Sequence, residues 1–238
     1  MFYGDNFKNN LTHIYNSIVD NKDVGCQHSF AAVIREIHNA NVAAGWWTDL
    51  KTGLSKDRNI GEMLMLMVSE ACEVPVFGIY ELKDDHLPHR TMFEVELADL
   101  FIRAADIAGY RLKDKIDIQS FSVVDCLPIA ARDFRFPGYV PPLNGDGFHE
   151  FDCDIYLMAI IRQLAAAMEA HRKKDRFNET GSFYEFDYHL CMAIVGVFQL
   201  AHIAQLNIVD AIYEKLLYNQ QRLDHKPEAR LAAGGKTY

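Results

Sequence analysis

Across 238 residues, several features that would direct a chain to a particular setting are missing. The first residues, Met1-Phe2-Tyr3-Gly4-Asp5-Asn6, have no basic region leading into an apolar stretch, so no signal peptide is expected. The longest unbroken apolar runs, Met63 to Val68 and Cys191 to Phe198, fall well short of the roughly 20 residues a bilayer crossing needs, and no membrane partner is expected. Cysteine is sparse and scattered: Cys26, Cys72, Cys126, Cys153 and Cys191 are odd in number and form no Cys-x-x-Cys pair. That argues against a disulfide framework and a zinc ribbon and for a reduced, cytoplasmic setting. Basic residues are in deficit, 24 Lys and Arg against 33 Asp and Glu, for a formal charge of −9. A polyanion is repelled by such a chain, which makes nucleic acid a poor partner.

Two-residue alternation between turn signals is lacking as well, whereas apolar residues recur at three and four along most of the length, so the chain reads as all-α. Ser29 is the expected cap of a helix carrying Phe30, Val33, Ile34 and Ile37, which Gly45 ends. A second helix starts near Asn59 and runs through Leu64, Met67 and Ala71 until Pro75 and Gly78. The loop from Lys83 to His89 turns the chain, with Asp84, Asp85, His86 and His89 expected in solvent. A third helix then spans about Met92 to Ala108, with Gly109 as its stop. Proline and glycine crowd residues 121–147, which read as a connector. Helices resume over about Asp152 to Lys173, Glu185 to Gln205 and Ile208 to Asn219, and the tail from Leu223 is irregular and basic. The whole is expected to be one domain: catalytic helices over 29–120, the connector 121–147, and a second helical half with the tail over 148–238. Shifting the sequence by 96 sets Leu97 to Ile116 over Ala193 to Ile212 with five identities, a faint internal repeat.

The second and third helices carry paired acids, Glu70 with Glu73 and Glu96 with Asp99. Spacing of three puts each pair on one face of its own helix. Both pairs lie in apolar surroundings, where an unpaired carboxylate is costly to bury. Antiparallel packing of the two helices would bring the four together. Converging carboxylate oxygens without Cys or a nearby helical His suit a hard cation, magnesium or manganese before zinc. Arg103 and Asp106 extend Glu96 and Asp99 into a polar stripe, and such stripes ordinarily face water.

These motifs resemble the all-α nucleoside triphosphate pyrophosphohydrolases that include MazG and the dimeric dUTPases. The family's E-x-x-E, loop, E-x-x-D pattern reads here as Glu70-Ala-Cys-Glu73, twenty-two residues, then Glu96-Leu-Ala-Asp99. The stretches from Glu36 to Trp47, Leu87 to Arg90, Glu96 to Asp106 and Lys215 to Lys226 look like those of phage and bacterial MazG-like proteins. Two departures stand out. Val74-Pro75-Val76-Phe77 follows the first pair where relatives continue with charged residues, and roughly ninety residues separate the third helix from the C-terminal segment. The faint repeat falls in that insertion, where apolar residues, Met192 and Val195 among them, stand opposite the acids.

The resemblance implies a helical bundle with an inserted helical pair, a homo-oligomer, and magnesium-dependent hydrolysis of (deoxy)nucleoside triphosphates to monophosphate and pyrophosphate. Glu70, Glu73, Glu96 and Asp99 would then be the metal ligands, with Glu70 or Glu73 the candidate base for the attacking water. Phosphate contacts are expected from Arg103 and from the tail, where Lys215, Arg222, Lys226, Arg230 and Lys236 face only two acids. For the base, an indole of Trp46 or Trp47, with the other packing inward, joins His38 and Asn41. Tyr218 and Asn219 follow the family pattern for a sugar or base contact. The same fold would also admit phosphoribosyl-ATP or an alarmone such as (p)ppGpp as substrate. From another class, a catalytically idle helical module binding nucleotides or a protein partner is the competing reading.

Overall fold

Apolar side chains spaced at three and four drive this chain into helices, and the computed structural model, which describes residues 3–20, 25–75, 81–113, 122–134, 150–174 and 184–235, is all-α. In chain order the helices are α1 (Asp5–Val19), α2 (Gln27–Ala43), α3 (Ile60–Glu73), α4 (Met92–Lys113), α5 (Val123–Asp133), α6 (Glu150–Arg172), α7 (Glu185–Ile203), α8 (Ile208–Gln221) and the short α9 (Pro227–Leu231), with a 3₁₀ turn over Leu223–His225. Extended pairing among the described residues is limited to two isolated bridges, Thr48 with Ser55 and Lys83 with Thr91.

Two helical hairpins make the centre. The α3–α4 hairpin packs against the α6–α7 hairpin through α3 on α6 and α4 on α7, while α2 and α8 flank α4, and α1 and α5 cover α7. Helix α7 is long and apolar enough, by length and composition, to cross a membrane. Instead its residues from Leu190 to Phe198 are all buried in this bundle. Of the five cysteines, Cys72 is exposed and the others are buried.

Local chemistry sets the ends. Asn59 caps α3, its side-chain oxygen accepting from the N–H of Gly61 at 2.9 Å and of Glu62 at 3.3 Å. Helix α3 ends at Glu73, just before Pro75. On α8, Asn207 accepts from the Asp210 N–H at 3.4 Å.

Four expectations are corrected. Ser29 lies inside α2, whose N-cap is Cys26, and its hydroxyl donates to Asn10 at 3.1 Å, because α1 packs there. Gly109 does not stop α4, which continues to Lys113. A Cβ at Gly109 would sit 2.4 Å from the Ile34 carbonyl oxygen and 2.5 Å from the His38 Cβ, so this glycine permits the close crossing of α4 on α2. The stretch read as a connector begins with helix α5: the Asp125 carboxylate accepts from the Ser122 N–H and hydroxyl, both at 2.9 Å, and tolerates Pro128 inside the helix. Asp84 is buried rather than solvated, because its carboxylate folds back to accept from the N–H groups of His86 and Leu87 at 2.9 and 2.7 Å. The expectations for Gly78, residues 135–149 and Lys236 lie outside the described residues. The repeat at a shift of 96 sets the uninterrupted α4 against the end of α7, the turn 204–207 and the start of α8, so its two copies do not share one helical register.

Candidate active site

Where α3 crosses α4, Glu70, Glu96 and Asp99 each place one carboxylate oxygen within 4.8 Å of the others. Helical spacing of three on α4 and the antiparallel crossing of α3 create this meeting. Glu70 and Glu96 are buried, and Asp99 is partly exposed. Glu73, the fourth expected ligand, is not part of the group. It is exposed, and its Oε1 accepts from the Ser69 hydroxyl at 3.1 Å.

Two cations face the acids. Arg103, one turn along α4, brings its Nε and Nη2 each to 2.6 Å from Glu70 Oε1. Lys215 reaches in from α8, 3% exposed, and its Nζ lies 3.0 Å from Asp99 Oδ2. This pair lies within one chain and joins α8 to the acid cluster. A clamp holds α8 in place: Arg90 donates from Nε and Nη2 to the two carboxylate oxygens of Glu214 at 2.7 and 2.8 Å, and from Nη1 to Glu94 at 3.1 Å. His89 adds a 2.7 Å contact to Glu214.

Burial pushes the Glu96 carboxyl up to about 9, with the charges of Asp99 and Glu70 adding to the effect. Glu70 is also raised by burial, against the opposing pull of Arg103. Glu96 and Glu70 share a hydrogen bond, so the proton on Glu96 relieves the crowding of three carboxylates. The donor set is hard oxygen throughout and fits a divalent ion such as magnesium, which would take over the charge that Arg103 and Lys215 now neutralise.

A cavity of about 150 Å³ opens beside the acids. Its walls include Asp99, Arg103, Asn41, Trp46, Asn219 and Arg222, all expected contacts, together with Arg58, Asp106, Gln220 and His225, which the sequence reading did not assign. The Asn219 side-chain oxygen is buried there with no hydrogen-bond partner among the described residues. Trp46 is half-buried, with the Arg230 guanidinium 3.6 Å from its ring centroid and the His225 ring edge-on at 5.2 Å. Arg222 is a two-pronged partner of Asp224, at 2.9 and 2.7 Å.

The remaining expected contacts stand elsewhere. Trp47 packs inward, stacked on Tyr110 at 4.5 Å, with its Nε1–H shared between the Asp106 oxygens at 3.0 and 3.1 Å. His38 is buried beside it, its Nδ1 2.8 Å from Asp106 Oδ1. Both line a separate hollow with Tyr110, Thr48 and Ser55 rather than the cavity beside the acids. Asp106 is thus 3% exposed and structural, and this end of the α4 polar stripe faces inward because the indole and imidazole groups satisfy it. Tyr218 is half-buried with the His86 ring 5.2 Å away. Lys226 is exposed and donates to the Gln220 carbonyl at 3.1 Å. Arg230 donates to the Ala44 carbonyl at 3.4 Å, which holds it on Trp46. Nothing in the sequence singled out Arg58, because a lone arginine in a polar loop carries no periodic signal.

Compared with protein-family models, curated proteins and solved structures, the chain finds no match.

Proposed function

We propose that the protein is a magnesium-dependent nucleoside triphosphate pyrophosphohydrolase of MazG-like type, releasing monophosphate and pyrophosphate. The observation that carries this reading is the meeting of Glu70, Glu96 and Asp99 beside a cavity walled by one indole and several guanidiniums. A nucleotide needs both halves: a face for its base, and positive charge for its phosphates.

In this reading Glu70, Glu96 and Asp99 hold the magnesium, which supplies charge neutralisation and polarises the attacking water. Trp46, which lines the cavity with Arg230 held over its ring, is the indole offered to the base. Asn219 offers its unpaired oxygen to a donor on the base or sugar. Arg103 and Lys215, paired here with Glu70 and Asp99, are the cations beside the cluster that would face the phosphates once a divalent ion neutralised those acids. Glu73, exposed one turn beyond Glu70, is the acid left over to accept a proton from water.

A panel of nucleoside triphosphates with magnesium, assayed separately for pyrophosphate and orthophosphate, tests the reading. Pyrophosphate with an equal amount of monophosphate is expected. Orthophosphate with accumulating diphosphate moves the cleavage position, and no turnover of any nucleotide removes the activity.

A further inference from the structure

Arg58 sits one residue ahead of the Asn59 cap of α3 and lines the cavity together with Arg103 and Arg222. The other two guanidiniums have carboxylate partners, Glu70 and Asp224. Arg58 has no hydrogen bond or ion pair among the described residues, and its guanidinium carbon stands 5.8 Å from the centroid of the Trp47 ring. Asp106 and Glu62 are close enough to attract it, but neither bonds to it, and the Asp106 carboxylate already serves His38 and Trp47. Burial and the nearby Arg103 both work against the charge on Arg58, and Arg230 in turn feels Arg58 as a like charge.

A guanidinium stays ionised in a protein and carries five N–H donors in a rigid fork. Leaving such a group partly buried, without an acceptor and beside other cations, is a cost that an anion entering the cavity removes. A single carboxylate would answer one fork only. A chain of phosphates offers several oxygens to several forks at once, and the guanidiniums here converge on one small space.

We infer that Arg58 binds a phosphate group of a polyphosphate-bearing ligand in this cavity, a contact separate from the carboxylate cluster. The assignment rests on the cavity being a nucleotide site, and its test is chosen to fail independently of hydrolysis. Inorganic tripolyphosphate is titrated calorimetrically into the full chain without metal, for the native protein, Arg58→Gln and Arg58→Lys. Arg58→Gln should weaken binding by about 10- to 100-fold, the scale of a lost charged hydrogen bond. Arg58→Lys, which keeps the charge and loses the fork, should fall between the two. A nucleoside without phosphates should bind native and Gln proteins alike.

Equal tripolyphosphate affinity in native and variant proteins overturns the assignment, as does a native protein that does not bind tripolyphosphate. An equal loss for nucleoside and tripolyphosphate also overturns it, because that result makes Arg58 a support for Trp47. Should the Gln variant fail to fold, the Lys variant decides alone, and unchanged affinity there refutes the contact. Absence of nucleotide turnover in the native protein would sink the proposed activity and leave this titration standing.

Discussion

Side by side in one bundle, the α3–α4 hairpin gathers three acids and an arginine where its helices meet, whereas the α6–α7 hairpin gathers no such cluster and joins its helices through the His189–Gln163 contact at 2.8 Å. On α4, Glu96 and Asp99 face Glu70 and are balanced by Arg103 and Lys215. On α7, the residues that the sequence shift sets opposite those acids, Met192 and Val195, are 7% and 0% exposed and belong to the core. Asp187 is buried near the start of α7 and is matched by Arg111. The contrast shows how one helical architecture divides its labour. One hairpin accepts the electrostatic cost of gathered carboxylates, and the other supplies the apolar burial that keeps the bundle folded around them.

The largest effect should come from making the second hairpin imitate the first. Val195→Asp places a carboxylate in a fully buried position with no cation opposite, at a cost of about 2–7 kcal/mol. That is a large part of the stability of an ordinary domain, so urea unfolding should lose its cooperative transition or shift far to lower denaturant. A Val195→Asp protein as stable as the native one would mean that α7 is not the buried core helix.

Next comes the reverse operation, neutralising the first hairpin. Glu96→Gln should reduce pyrophosphate release by about 100- to 1000-fold, the scale seen on removing a preorganised charge-stabilising group. The same substitution should raise the stability of the metal-free protein at pH 8, since Glu96 must take up a proton to fold at that pH and glutamine need not. Asp99→Asn would be less clean, because it leaves buried Lys215 without its partner.

A smaller effect is expected from packing alone. A Cβ on Gly196 would lie 2.7 Å from Ile160 Cγ1 and 2.9 Å from Phe134 Cζ, so Gly196→Ala should cost about 1–3 kcal/mol by overpacking. Magnesium affinity measured on the folded variant should not change. A drop in affinity would show that the two hairpins are coupled.

A further effect is the pH dependence of the native protein without metal. For a carboxyl whose folded pKa is raised, the folded state binds the proton more tightly than the unfolded state. Stability is therefore greatest at and below the ordinary carboxyl range and falls as pH rises towards about 9, where Glu96 ionises. Thermal unfolding at pH 6 and pH 8.5 should show this decline, and Glu96→Gln should flatten it.

Periodicity made most of the bundle legible in the sequence: α2, α3, α6, α7 and α8 lie within a few residues of where the apolar spacing puts them. The paired acids were legible for the same reason, since residues three apart must share a helical face. What sequence could not supply is anything set by a contact between distant segments. Gly109 looks like a helix stop until α2 is seen lying against it. His38 and Trp47 look like ligand contacts until Asp106 takes their polar atoms, sixty-eight and fifty-nine residues further along the chain. Helix α5 hides behind Pro128, and Glu73, the last residue of α3, stands one turn beyond Glu70 and pairs with the Ser69 hydroxyl instead.

The two tryptophans stand on opposite sides of this division, and they are the only two in the chain. Trp46 forms part of the cavity wall, while Trp47 is sealed behind it with its N–H held by Asp106. The intrinsic ultraviolet emission of the protein therefore comes from one indole that a ligand would touch and one that it would not. Quenching of the first against the steady signal of the second gives a label-free optical readout of cavity occupancy, with the reference fluorophore built into the same chain.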